Sequence, residues 1–154
     1  MSHVTGAGRV AGIFGWPVTH SRSPLIHNHW LARHGIDGAY IPFAATPENF
    51  ADAFRALPKL GFAGGNMTIP HKENVMALAD QVTDRATLIG AANTLTFRDD
   101  GTILADNTDG YGFITNLHQG APDWDPASGP AVVLGAGGAC RAVVASLLEA
   151  GVPE

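Results

Sequence analysis

Serine hydroxyls, carboxamides, a lysine and an aspartate are gathered in three separated phrases of this chain. They are His20-Ser21-Arg22-Ser23-Pro24, Asn66-Met67-Thr68-Ile69-Pro70-His71-Lys72 and Asp106-Asn107-Thr108-Asp109-Gly110. Each lies at the start of an expected helix, where free backbone N–H groups and hydroxyls together favour an anion. A fourth phrase, Gly135-Ala136-Gly137-Gly138, follows an expected buried strand as a phosphate cradle does. These residue types in this order suit a small polar substrate and a nucleotide.

Every phrase also has a plainer reading. Ser21 and Ser23 suit a carboxylate or phosphate, or else Ser23 is only an N-cap and Ser21 only a loop residue. Lys72 lies in the first turn of its helix, where the positive end of the macrodipole makes an ammonium proton easier to lose; otherwise it is a solvated lysine paired with Glu73. Asp109 is either a capping carboxylate or the partner of Lys72, because a lysine and an aspartate facing each other across a cleft can hold and pass one proton at neutral pH. Asn66, Thr68 and Asn93 stand at the ends of expected strands or turns, where they bind ligand hydroxyls or simply bridge loops.

Gly135-Ala136-Gly137-Gly138-Ala139-Cys140-Arg141 matches the dinucleotide fingerprint loosely, since Cys140 replaces its third glycine. Its place between Val132-Val133-Leu134 and Val143-Val144 is the strand-to-helix setting that such a motif needs. Cys140 reads as a small packing residue rather than a nucleophile. Of the seven histidines, His27 and His29 are two apart on a helix and point to different sides, and no carboxylate completes a site with them. No metal is expected.

The elements that must hold these residues alternate. Arg9 to Gly15 reads as a buried strand, and Ser23-Pro24 as an N-cap with proline at the first helical position, opening a helix that Gly35 stops. Ala39 to Phe43 is a second strand. Thr46-Pro47 opens a helix with Phe50, Ala53, Phe54 and Leu57 on one face. Gly64 to Thr68 is a third strand, and Pro70 starts a helix carrying Val75, Met76 and Ala79. A short helix is expected over Asp84 to Ile89. Thr94 to Arg98 and Thr102 to Ala105 flank Asp99-Asp100-Gly101 as a hairpin, so the sheet is mixed. A helix runs from Thr108 to about Gln119. The Pro- and Gly-rich stretch 120–129 is a linker. Beyond it come a strand over Ala131 to Leu134, the glycine turn, and a helix over Ala139 to Ala150.

The expected organisation is therefore α/β: a mixed-sheet substrate domain over 1–119, a linker over 120–129, and over 130–154 the first βα unit of a Rossmann-like dinucleotide-binding domain. The 154 residues, 45% of them apolar, suit a folded globular chain. A net charge of -5 without a basic run argues against nucleic acid or an anionic membrane as partner. A single cysteine and no basic-then-apolar N-terminal stretch make the cytoplasm the expected compartment.

Taken in order, the phrases His20 to Pro24, Gly65 to Lys72, Gly90-Ala91-Ala92-Asn93-Thr94, Asp106 to Gly110 and Gly135 to Arg141 resemble the shikimate dehydrogenase family. The resemblance implies an enzyme of aromatic amino-acid biosynthesis that interconverts 3-dehydroshikimate and shikimate with NADPH. On the matching positions, Ser21 and Ser23 would hold the substrate carboxylate, and Asn66, Thr68, Asn93 and Asp109 its ring hydroxyls. Lys72 with Asp109 would be the acid and base pair at the oxidised carbon, and Gly135, Ala136, Gly137, Gly138 and Ala139 would cradle NADP.

In that family the nucleotide domain continues for several βα units, and its last helices return to the substrate domain with a glutamine that touches substrate. The chain is accordingly expected to be an incomplete enzyme, inactive alone, with residues 131–154 mobile or paired with a second copy in a homodimer. The residue that chooses between NAD and NADP is expected roughly twenty positions past the glycines, so NADP follows from the resemblance alone. A quinate-using relative, a shikimate-binding fragment without redox chemistry, and a purely structural fragment are the alternatives.

Overall fold

The computed structural model describes residues 4–153; the ends of the two expected domains, Met1 to His3 and Glu154, lie outside the described residues. Strand β1 (Arg9–Gly15) runs between β2 (Gly38–Ala44) and β3 (Phe62–Met67), parallel to both. The sheet then turns mixed: β5 (Thr94–Phe97) is antiparallel to β3, β6 (Ile103–Asp106) is antiparallel to β5, and β4 (Gln81–Val82) is parallel to β6 at the edge. The six-stranded order is β2-β1-β3-β5-β6-β4. The two residues of β4 were too few to show a strand period in the sequence.

Alternation along β1 builds a core on each face. Phe14 stacks on Phe43 with ring centroids 4.6 Å apart, and joins Phe50, Phe54, Leu57, Met67, Val75, Leu95 and Phe97 in the larger core. Ile13 points the other way, to Val18 and Tyr40. Phe50 and Phe54 come from α2 (Pro47–Ala56), which presents the expected apolar face; Ala53 alone of that set stays exposed.

Two helices and one strand differ from expectation. In α1 (Ser23–Arg33) Ser23 is the first helical residue rather than the cap, and Ser21 Oγ accepts from the Ser23 amide at 3.2 Å. The helix opened by Pro70 lasts only one turn, α3 (His71–Asn74), then tightens into a 3-10 turn over Val75–Ala77. There the Lys72 carbonyl is drawn sideways to the amide of Ala92, at 2.7 Å. The expected strand over Ala131–Leu134 does not form, because no strand of the described sheet runs beside it; Val132 and Leu134 stay 90% and 94% exposed.

The helices α4 (Asp84–Ile89), capped by Thr83, and α5 (Asp109–Gly120) lie where expected. The last helix, α6 (Gly138–Glu149), departs from the expectation that everything past the linker lacks partners within the chain. Its Ala142 and Leu147 are buried, and Ala142 packs with Ile89 and Ala91. The approach to α5 is close: a Cβ on Gly110 would lie 2.0 Å from Ser146 Oγ. Among the described residues no helix is long and apolar enough to cross a membrane. Amide hydrogen exchange should therefore split the last segment, with 132–134 exchanging fast and 142–147 protected; equal protection in both would contradict this packing.

The β6 end is fastened to α4 by Asp106, which accepts from Thr83 Oγ1, Arg85 Nη2 and the Asn107 amide, each at 2.7 Å. Burial by itself pushes this carboxyl up, but those hydrogen bonds and the Arg85 charge outweigh it and hold it below its ordinary value of 3.8. A depressed carboxyl adds stability above its unfolded value and loses it as pH falls through the folded one. Asp106→Asn should thus lower the urea midpoint at neutral pH, and the gap to wild type should close as pH drops below 3.8. A gap independent of pH would show that the carboxylate charge is not what holds this corner.

Candidate active site

The register of the mixed sheet lines up Asn66 on β3, Thr94 on β5 and Asp106 on β6 as direct neighbours. The residues flanking that row, Asn93 and Asn107, are thereby placed beside the N-terminus of α5 and the single turn of α3. Asp109 opens α5, and Lys72 reaches it from α3: Nζ lies 2.5 Å from Asp109 Oδ2, with the two side chains 20% and 28% exposed. Lys72 does not pair with Glu73, whose carboxylate instead accepts from Arg141 Nη2 of α6.

Asn93 closes the other side. Its Nδ2 donates to Asp109 Oδ1 at 2.6 Å, while its Oδ1 accepts from the Thr108 amide at 2.9 Å and from Thr94 Oγ1 at 2.8 Å. Asn107, fully buried, accepts from the Asp109 amide with Oδ1 and donates from Nδ2 to the Ala91 carbonyl. The carboxylate is thus met on both oxygens and its backbone is capped. What remains open is the side of the Lys72–Asp109 pair that faces solvent.

Asn66 joins the same network, donating to the Asn93 carbonyl at 3.2 Å and accepting from Tyr40 Oη at 2.6 Å. Burial pushes the Tyr40 phenol well up, against a hydrogen bond from the Ser23 hydroxyl that works in the other direction. Ser23 is tied to Tyr40 through His27, whose Nδ1 meets the Ser23 carbonyl at 3.0 Å and whose ring stacks on the phenol. Thr68 follows β3, with its amide on the Phe14 carbonyl and its methyl against Gly15.

The residues singled out in the sequence so fall at one end of the sheet. Tyr40, Thr94, Asn107 and Thr108 complete the network without having been singled out. The last three sit inside the quoted phrases, whereas Tyr40 read only as a strand aromatic.

The glycine turn lies alongside. Gly135 has φ +137°, which a side chain would strain, and Gly138 sits so close to Ala91 that a Cβ there would lie 3.0 Å from the Ala91 methyl. Cys140 Sγ donates to the Gly135 carbonyl. The turn and the start of the twelve-residue α6 thereby rest on the 90–93 loop that supplies Asn93.

A family model for the shikimate dehydrogenase substrate binding domain matches residues 13–95, more than half of the chain. The chain belongs to the shikimate dehydrogenase substrate-binding domain family. The matched residues include Ser21, Ser23, Asn66, Thr68, Lys72 and Asn93, while Asp109 and the glycine turn lie beyond them.

Likeness to individual members extends further along the chain. A shikimate dehydrogenase (NADP(+)) of Paracoccus denitrificans is 68% identical over 145 residues, covering 94% of this chain and 51% of that protein. The shikimate dehydrogenase structure of Aquifex aeolicus superposes with a TM-score of 0.91 at 36% identity, over 97% of this chain and 55% of that one. Shikimate 5-dehydrogenase of Thermus thermophilus, in complex with NADP(H) and shikimate, superposes with a TM-score of 0.86 at 38% identity, over 94% of this chain and 53% of that one. The chain spans about half the length of the curated relatives it matches.

Asn93 is the residue on which this family site turns structurally. Asn93→Ala would leave the Thr108 amide and one Asp109 oxygen without their partner, at a cost of about 1–3 kcal/mol. Urea unfolding at neutral pH measures this, and a loss below about 0.5 kcal/mol would mean that water replaces the carboxamide fully.

Proposed function

We propose that this chain supplies the substrate-binding and catalytic residues of an NADP-dependent shikimate dehydrogenase, a cytoplasmic enzyme acting on a small hydroxylated ring acid. One observation supports this above the others. The Lys72 ammonium faces Asp109 at 2.5 Å, with the far carboxylate oxygen held by Asn93, in a chain of this family. The division into residues 1–119, the linker 120–129 and a nucleotide-binding start over 130–154 is part of the same reading.

Ser21 and Ser23 hold the substrate carboxylate at the start of α1. Asn66, Thr68, Asn93 and Asp109 face its ring hydroxyls. The glycine turn fits a pyrophosphate: Gly135 adopts a backbone that favours glycine, a Cβ on Gly137 would meet only open space, and the N-terminus of α6 carries no side-chain cap on its first amides. Gly135, Ala136, Gly137, Gly138 and Ala139 would hold NADP there, and the bound nicotinamide supplies the hydride.

The chain's own part is the proton. As the substrate carbonyl becomes a hydroxyl, negative charge gathers on its oxygen. Lys72 Nζ stabilises that charge and gives it a proton, and in the reverse direction takes the proton back. Asp109 Oδ2 keeps the ammonium in place and orients the hydroxyl. The exposed Val132 and Leu134 would be covered by a neighbouring strand, from further nucleotide-domain chain or from a second copy in a homodimer.

Titration of the chain with shikimate, followed by an NADP-dependent absorbance assay of the protein that carries it, tests this reading. Binding with turnover supports it; binding without turnover points to a shikimate-binding domain without redox chemistry; neither overturns it. Lys72→Ala should cost on the order of 10²-fold or more in kcat with shikimate binding retained. Ser21→Ala and Ser23→Ala should each weaken binding by about 1.5–3 kcal/mol. Near-normal kcat in the first variant would remove Lys72 from its role, and an unchanged KM in both serine variants would remove the carboxylate site.

A further inference from the structure

Helix α1 opens at Ser23, within the serine phrase, yet none of its residues is buried. A helix so placed is not seated by a hydrophobic stripe, which is what usually fixes a helix against a sheet. Its attachments are polar and aromatic, and they converge on one residue of the edge strand β2. Asn28 grips the backbone of Tyr40 from both sides, donating from Nδ2 to its carbonyl at 2.7 Å and accepting its amide at 3.0 Å. In this way a carboxamide on the helix takes the place of a missing strand partner. One residue earlier, the His27 ring stacks on the Tyr40 ring with centroids 4.0 Å apart and an angle of 17°. His27 Nδ1 is itself anchored at 3.0 Å to the carbonyl of Ser23.

From that held position, Tyr40, only 3% exposed, sends its hydroxyl to Asn66 Oδ1 on β3 at 2.6 Å. Asn66 in turn spends its Nδ2 hydrogens on the Asn93 carbonyl and Thr94 Oγ1.

We propose that Tyr40 is a positioning residue: through its hydroxyl it sets the separation between the serine pair at the start of α1 and the hydroxyl-binding carboxamides that follow from β3. The inference rests on the reading of Ser21 and Ser23 as the carboxylate end of a shikimate site. It adds a residue whose polar contacts within the chain include Asn28 and Asn66 and to which no substrate group is assigned. Tyr40 acts by making two ends of one site rigid with respect to each other, so that a ring acid meets both at once. A ligand held at one end only would be indifferent to it.

Tyr40→Phe removes the hydroxyl and keeps the ring stacked on His27, so the variant retains its packing. Two measurements on the 154-residue chain decide the proposal. The first needs no ligand: in ¹⁵N-resolved NMR spectra the Asn66 side-chain amide and the Ser23 backbone amide should both shift in Tyr40→Phe, while amides of α2 stay in place. If neither signal moves, the proposal is overturned whatever the chain binds.

The second is calorimetric titration with shikimate in a double-mutant cycle. Tyr40→Phe should weaken binding about tenfold in the wild-type background, and much less once Ser23→Ala has already loosened the carboxylate end. An equal loss in both backgrounds would show that Tyr40 merely supports the fold, and would overturn the positioning role. Absence of shikimate binding in the wild-type chain would count against the functional reading, and the ligand-free amide shifts would still decide whether Tyr40 couples α1 to β3.

Discussion

A carboxylate drawn partly out of water must have its oxygens met, and Asp109 has them met from two separate stretches of chain while a third holds its backbone. Lys72 comes from α3, Asn93 from the loop before β5, and Asn107 from the end of β6 to hold the Asp109 amide. Each of these partners has a further partner of its own. Removing the carboxylate would leave an ammonium and a carboxamide facing each other without their acceptor. The site and the local fold are, in this sense, one hydrogen-bonded object.

The mixed sheet is what lets such distant residues meet. Parallel pairing of β1 with β3 sends the end of β3 to the same edge as the end of β1. The antiparallel return through β5 and β6 starts at that edge and comes back to it. Helix starts and strand ends therefore collect on one side, where backbone donors and short polar side chains are unspent. Beneath them, Phe14, Phe50, Phe54 and Met67 form a dry floor that leaves the polar layer nowhere to relax.

The end of the chain shows how strongly context governs a good local pattern. Val132-Val133-Leu134 has the composition of a buried parallel strand, yet without a neighbouring strand its backbone groups gain nothing by extending into a ladder. Helix α6 needs no such partner for its backbone, and it docks through small residues: Gly138 on Ala91, Ala142 on Ile89, Ser146 on Gly110. Arg141 adds an exposed bond to Glu73, the residue after Lys72. The glycine turn is thereby held against the loop that supplies Asn93.

Much of this was legible in the order of residues alone. Strand alternation, the Phe50 and Phe54 spacing, the Asp99-Asp100-Gly101 hairpin and the phrases around Ser21, Lys72 and Asp109 are local signals, because period and turn chemistry act over a few residues. That Lys72 takes Asp109 rather than Glu73 is a long-range fact, decided by which strands pair and in what register. The role of Asn107 as a buried cap, the shortening of α3 by the Ala92 amide, and the gathering of α1 around Tyr40 belong to the same class. Tyr40 carried no signal beyond its β-forming side chain, since a phenol's partner is chosen by the position of the neighbouring strand and helix. Sequence determined which groups were available for chemistry, and only the tertiary structure decided which of them touch, because contact across the sheet depends on register and not on spacing along the chain.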